Sequence, residues 1–167
     1  MKIGTLVACA AAATIAGSAA ADFIGYYAPE NWDFFAQDDG YLDLSGVPAE
    51  VTIYGTDTGT SYSYTTLTIE AQADSTISFD WAYDTFDGPP YDWCGYIVGG
   101  EYFFLTDQYA QSGSVEIEVS AGETFGFYVA SLDGCCGAGY MTISNFVPAP
   151  GALALFGLAG LGFRRRR

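Results

Sequence analysis

Histidine is absent from this chain of 167 residues, and lysine and arginine together number five. Those five are Lys2 and Arg164 to Arg167, at the two extremes, whereas all twenty Asp and Glu residues lie between Asp22 and Asp133. The body of the chain therefore has no cation and a formal charge of −20. Each absence excludes a chemistry. Without histidine there is no Ser–His or Cys–His nucleophile pair, and without an internal lysine there is no Schiff base. A body with no Lys or Arg cannot neutralise phosphates, which excludes nucleic acid as a partner. Leucine is scarce there, and no window between Asp22 and Phe146 sustains a helical period.

What the body does contain is aromatic. Of 3 Trp, 13 Tyr and 12 Phe, all but Phe156 and Phe163 fall within it. An acidic disordered segment would be poor in such residues, so the composition points to a packed domain.

The two ends read as addresses. Residues 1–21 have the three parts of a secretory signal peptide: Lys2, an apolar stretch from Ile3 to Ala16, and a small-residue cleavage site at Ala19-Ala20-Ala21. Cleavage there leaves Asp22 first and removes Cys9. At the other end, Val147-Pro148-Ala149-Pro150 precedes thirteen uncharged residues, Gly151 to Phe163, and then Arg164, Arg165, Arg166 and Arg167. As a helix the uncharged stretch would span roughly 20 Å, against roughly 30 Å of hydrocarbon. Snorkelling arginines would relieve the mismatch, and the positive-inside rule puts them on the cytoplasmic side. The signal peptide requires the same topology.

This Pro motif, marginal apolar helix and Arg cluster resemble a PEP-CTERM sorting signal, with Ala149 where that family's tripeptide has Glu. The resemblance implies export from a Gram-negative cell, transient anchoring in the inner membrane, and cleavage near Pro148 and Pro150 by an exosortase-like transpeptidase. An anchored surface protein that is never cut is the alternative. The expected organisation is a signal peptide (1–21), one exported domain (22–146) and a sorting signal (147–167).

Within the domain, period-two alternation recurs. Ile77, Phe79, Trp81 and Tyr83 alternate with Ser78, Asp80, Ala82 and Asp84. Val115, Ile117 and Val119 alternate with serines and glutamates, and Phe125, Phe127 and Val129 follow on one side of the next segment. Further strands are expected at 32–35, 41–44, 51–54, 64–70, 95–98, 101–105 and 140–146. Gly99-Gly100 suits a two-residue hairpin turn, and residues 56–60 and 87–90 read as longer loops. About ten short strands with one apolar face each need a second sheet to cover them. The expected fold is all-β, a two-sheet antiparallel jelly-roll-like sandwich, with a signal helix before it and a short transmembrane helix after it.

A second resemblance rests on Tyr91-Asp92-Trp93-Cys94-Gly95-Tyr96, on Phe125 to Tyr128 leading into Ser131-Leu132-Asp133, and on Gly139-Tyr140. Their order is similar to that of landmarks in CUB-type sandwiches. Many CUB domains hold Ca²⁺, and the resemblance makes Asp92 and Asp133 the ligands here. Uncompensated charge argues the same way: Asp80 and Asp84 share a strand face, Asp87 and Asp92 flank a Gly-Pro-Pro loop, and Ca²⁺ takes six to eight oxygens. The candidate metal ligands are Asp84, Asp92 and Asp133; a solvated acidic surface is the alternative. If Asp92 approaches Asp133, Cys94 approaches Cys135 and Cys136. A bridge from Cys94 to either would close a loop of about 42 residues, worth roughly 3–4 kcal/mol. A link between the adjacent Cys135 and Cys136 is the other pairing.

For function, these features favour a non-enzymatic cell-surface or extracellular-matrix protein serving adhesion, matrix structure or binding. Its partners would be the export machinery, the transpeptidase, the inner membrane and extracellular polysaccharide. A carbohydrate-binding module using exposed Trp32, Trp93 or Tyr residues is the alternative. A small carboxylate-based glycoside hydrolase is the weaker one, since acid pairs are abundant but a catalytic acid also needs an apolar cleft.

Overall fold

The computed structural model describes residues 22–58, 62–88 and 90–150. The expected signal peptide (1–21), the apolar segment 151–163 and Arg164 to Arg167 lie outside the described residues. Two single turns of 3-10 helix, Gly25–Tyr27 and Pro29–Asn31, open the described chain. Ten strands follow: β1 (Asp33–Ala36), β2 (Tyr41–Asp43), β3 (Glu50–Tyr54), β4 (Ser63–Glu70), β5 (Ser75–Asp84), β6 (Asp92–Val98), β7 (Glu101–Thr106), β8 (Ala110–Val119), β9 (Thr124–Ser131) and β10 (Tyr140–Pro150). Among the described residues no helix is long and apolar enough to cross a membrane.

The strands form two five-stranded antiparallel sheets, in the orders β1-β4-β9-β6-β7 and β2-β3-β10-β5-β8. The alternation read from β5 and β9 is the core pattern: Ile77, Phe79, Trp81 and Tyr83 meet Phe125, Phe127 and Val129 between the sheets. Gly99 and Gly100 both have positive φ, +59° and +83°, as the tight β6–β7 hairpin requires.

Trp32 is not a surface residue. It is 7% exposed, stacks on Phe127 at 5.7 Å and meets Phe125 edge-on at 5.6 Å. Its indole N–H donates to the Tyr27 carbonyl at 3.0 Å. That bond satisfies its one polar atom, so the whole ring can close the end of the core. The expected ligand-binding role for Trp32 is therefore corrected.

The last strand runs past residue 146, where the sequence places the end of the exported domain. β10 continues through Val147, Pro148, Ala149 and Pro150, paired with Ser78, Ile77, Thr76 and Ser75 of β5. β3 accompanies β10 only as far as Ser144. After an irregularity between Ser144 and Val147, with Asn145 at φ +49°, no strand among the described residues pairs with the other side of β10. A proline, lacking an N–H, is tolerated on such an open side. The two prolines thus belong to the last strand of the sandwich.

Cys135 and Cys136 are bonded to each other, and Cys94 is a buried free thiol. The bridge expected from Cys94 does not form. Cys94 points inward from β6 opposite Val129, among apolar side chains, and the desolvation of that site pushes its thiol well above the usual range.

Candidate functional site

The outward face of the first sheet departs from the ordinary polar exterior. In β6 the inward Cys94, Tyr96 and Val98 alternate with outward Trp93, Gly95 and Ile97, and in β9 the outward set is Gly126, Tyr128 and Ala130. Tyr64 is opposite Ala130, Phe35 opposite Thr66, and Tyr102 and Phe104 opposite Ile97 and Gly95. Cross-strand register thus gathers Phe35, Tyr64, Trp93, Tyr102, Phe104 and Tyr128 on one surface, with Tyr62 at its margin.

The middle of this surface is a second, small apolar cluster. Ile97, Tyr128 and Ala130 are buried, and Tyr64 and Trp93 pack against them. Tyr128 lies over Gly95: a Cβ there would come within 2.5 Å of the ring. The absent side chain at 95 lets the ring lie down on the sheet, and the others lean on it. Ring centres are 5.1 Å apart for Tyr102–Tyr128, 5.3 Å for Tyr64–Tyr102, 5.2 Å for Tyr62–Tyr64 and 5.6 Å for Tyr62–Trp93.

Interplanar angles in these four pairs run from 47° to 83°. Rings meeting at such angles keep part of their faces open. Tyr62, Tyr102 and Phe104 remain 46%, 52% and 58% exposed. The Tyr62 and Tyr64 hydroxyls share a hydrogen bond of 2.6 Å. Burial, then the Tyr62 hydrogen bond, hold the Tyr64 phenol above its ordinary range, and burial does the same for Tyr128. These hydroxyls are therefore neutral donors and acceptors near neutral pH. Large exposed apolar surface of this kind marks a site of interaction.

The second sheet's outer face is built differently. Tyr41, Tyr54, Tyr140 and Asp84 form one cross-strand row. Tyr54 is stacked between Tyr41, at 4.3 Å and 7°, and Tyr140, at 5.1 Å and 25°. Both its faces are covered by neighbours. The same sheet carries a shallow hollow of about 350 Å³ lined by Asp80, Trp81, Ala82, Ser112, Gly113, Ser114 and Ser144. Asp80 accepts from Ser114 and from Asn145 (2.7 Å), which hold its carboxyl below the usual range.

Asp84, Asp92 and Asp133, the expected Ca²⁺ ligands, are not among the groups of three whose ligand atoms converge within 4.8 Å among the described residues. Asp84 faces outward and accepts from the Tyr140 hydroxyl at 3.3 Å. Asp92 is turned inward at the end of the sandwich, 1% exposed, with Oδ2 accepting from Thr85 at 2.7 Å and Oδ1 without a hydrogen-bond partner among the described residues. Asp133 sits in the β9–β10 loop, where Oδ1 accepts from the Cys135 N–H at 3.4 Å. Among the described residues, the carboxylate and sulfur atoms that converge within 4.8 Å belong to Asp87, Cys135 and Cys136.

Of the side chains anticipated for binding, Trp93 is on the aromatic surface and Trp32 is not. Tyr62, Tyr64, Tyr102, Phe104 and Tyr128 were not singled out. The available signal was Gly95 and Gly126, two glycines amid apolar β-strands, which mark close approach of neighbouring groups.

No protein-family model matches the chain, and no curated protein matches it. Solved structures similar to it include a family 35 carbohydrate-binding module from Clostridium thermocellum, at 12% identity and TM-score 0.38, covering 69% of this chain and 92% of that one. Another is the family 11 module of a cellulosomal cellulase from the same organism, at 10% identity and TM-score 0.42, covering 72% and 88%. A third is TmCBM61 in complex with β-1,4-galactotriose, at 14% identity and TM-score 0.37, covering 74% and 90%.

Proposed function

We propose that this chain is a non-catalytic carbohydrate-binding protein and that the aromatic surface of the first sheet holds the glycan. The observation that carries the reading is the set of partly open ring faces at Tyr62, Trp93, Tyr102 and Phe104, bordered by neutral tyrosine hydroxyls. A pyranose has apolar C–H faces and a polar rim, and this surface offers rings for the first and hydroxyls for the second. A body charge of −20 disfavours anionic polysaccharides, so the ligand class is a neutral glycan. A hydrolase reading lacks comparable support: the buried carboxyl with a raised pKa, Asp92, lies inside the sandwich rather than in an open cleft.

Affinity electrophoresis in gels containing neutral polysaccharides tests the proposal. The wild-type chain is expected to be retarded by at least one. Trp93→Ala and Tyr102→Ala should each weaken retention about tenfold, equivalent to about 1.4 kcal/mol, and Tyr41→Ala on the opposite sheet should leave it unchanged. Equal retention of wild type and the Trp93/Tyr102 double variant would overturn the reading, as would retention by none.

The same proposal puts the protein outside the cytoplasm. The three-part patterns at both ends support delivery by the export machinery and release by an exosortase-like transpeptidase. Cell fractionation should find a chain trimmed at both ends outside the cytosol; a full-length cytosolic chain would contradict this part.

A further inference from the structure

We propose that reduction of the Cys135–Cys136 bond opens a site for a thiophilic divalent metal, formed by the two sulfurs and the carboxylate of Asp87. The site is independent of the glycan reading. One ligand atom from each of the three residues already lies within 4.8 Å of the others. Asp87 is held in a definite way: Oδ1 accepts from the Gly88 N–H at 2.8 Å, while Oδ2 is buried with no hydrogen-bond partner among the described residues. A buried carboxylate oxygen without a donor is costly, and no Lys, Arg or His exists in the body to meet it. Asp133 Oδ2, 3.8 Å from Cys135 Sγ, stands close enough to supply a fourth donor.

The loop backbone is tied on both sides of the cysteine pair by hydrogen bonds that do not involve sulfur. The Gly137 N–H donates to Asp57 Oδ1 at 2.9 Å, and the Gly134 N–H to Ser131 Oγ at 3.0 Å. Gly134, Cys136 and Gly137 adopt positive φ values of +59°, +72° and +115°. These anchors hold the backbone on both sides of the cysteine pair without using the S–S bond.

Oxidation state decides what the site can hold. In the disulfide the sulfurs are neutral and bonded to each other, so only carboxylate remains to attract a cation. A dithiol reductant supplies two electrons and two protons, giving two thiols and a cyclic disulfide of the reductant. Binding of M²⁺ then displaces the two thiol protons to solvent and forms two metal–thiolate bonds. Thiolate with carboxylate suits Zn²⁺ or Cd²⁺. Cys94, buried in the core, takes no part.

Cd²⁺ titration of the full chain carrying Cys9→Ser, under anaerobic conditions, provides the test, with and without prior reduction by a phosphine. The reduced chain should develop a sulfur-to-cadmium charge-transfer band that saturates at one ion per chain; the oxidised chain should not. Asp87→Asn should keep the band and weaken binding about tenfold or more, and Cys94→Ser should match wild type. A band that persists in the Cys135→Ser/Cys136→Ser variant would overturn the proposal. So would its absence from the reduced wild-type chain, or undiminished affinity in Asp87→Asn.

Discussion

Replacing Gly95 by alanine is expected to destabilise the domain by about 3 kcal/mol or more, at the upper end of overpacking costs. For a domain of this size that is a fall of roughly 10 °C in melting temperature. The added Cβ would lie 2.1 Å from the Phe103 carbonyl oxygen and 2.5 Å from the Tyr128 ring. Backbone is the harder obstacle, because the carbonyl belongs to β7, which stays paired with β6 from Gly95 to Val98 beyond an irregularity at Cys94/Gly95, and moving it disturbs that pairing. Trimming the ring as well, in Gly95→Ala/Tyr128→Ala, should therefore not restore stability. Urea denaturation measures the change from the midpoint at constant slope. A loss under about 1 kcal/mol would show that β7 yields locally and that Gly95 is not the seat of the aromatic surface. The same variant should lose glycan retention while still folded, since the displaced Tyr128 supports Tyr64 and Tyr102.

Asp92→Asn is expected to stabilise the protein at neutral pH, and the gain should disappear in acid. Burial is the main cause holding the Asp92 carboxyl above its ordinary range; hydroxyls of Thr85 and Ser131 oppose it, and the charges of Asp87 and Asp133 reinforce it. Tyr83, whose hydroxyl is buried, flanks Gly139 with Asp92 and supplies no positive charge. The folded state therefore keeps a proton at Asp92 at pH values where the unfolded chain has lost it. Stability from this group is fully present below the ordinary value of 3.8 and is lost as pH rises through the raised folded value. Above that window wild type must hold a buried carboxylate with one oxygen lacking a hydrogen-bond partner among the described residues, whereas Asn is neutral and still accepts from Thr85. The expected gain is about 1–2 kcal/mol, or roughly 3–8 °C, at pH 7.5. Wild type and variant should converge near pH 4. Asp39, Asp43 and Asp80 work in the opposite sense, since hydrogen bonds hold them low and their contribution fades as pH falls. A wild type more stable than the variant at pH 7.5 would show that the Asp92 charge is compensated, as by a bound cation.

The strands were legible because each has a strong local signature. Ile77 to Tyr83 alternates without a fault, and Gly99-Gly100 can hardly be anything but a tight turn. β10 was legible only to Phe146, because Val147-Pro148-Ala149-Pro150 offers no alternation; pairing with β5 keeps it in the sheet. The start of β8 was missed for the same reason, since Ala110 to Gly113 is polar or small and is held by its register with β5. The site was harder still. Trp93-Cys94-Gly95-Tyr96 has an aromatic in both phases of the alternation, so period two alone does not say which one faces the core.

The residue order by itself determined an all-β body, its ten strands, its turns and a charge pattern that leaves twenty carboxylates without an internal cation. Those are local properties, written in period, glycine and charge. Only the tertiary structure decided that Trp32 closes the core while Trp93 supports an aromatic exterior, that Cys135 bonds to its neighbour and not to Cys94, and that Asp92 is buried while Asp84 is not. The physical reason is that phase, unlike period, is set by contacts between strands distant in sequence: what lies opposite a side chain, and on which side the second sheet closes, exists only once the sandwich has formed.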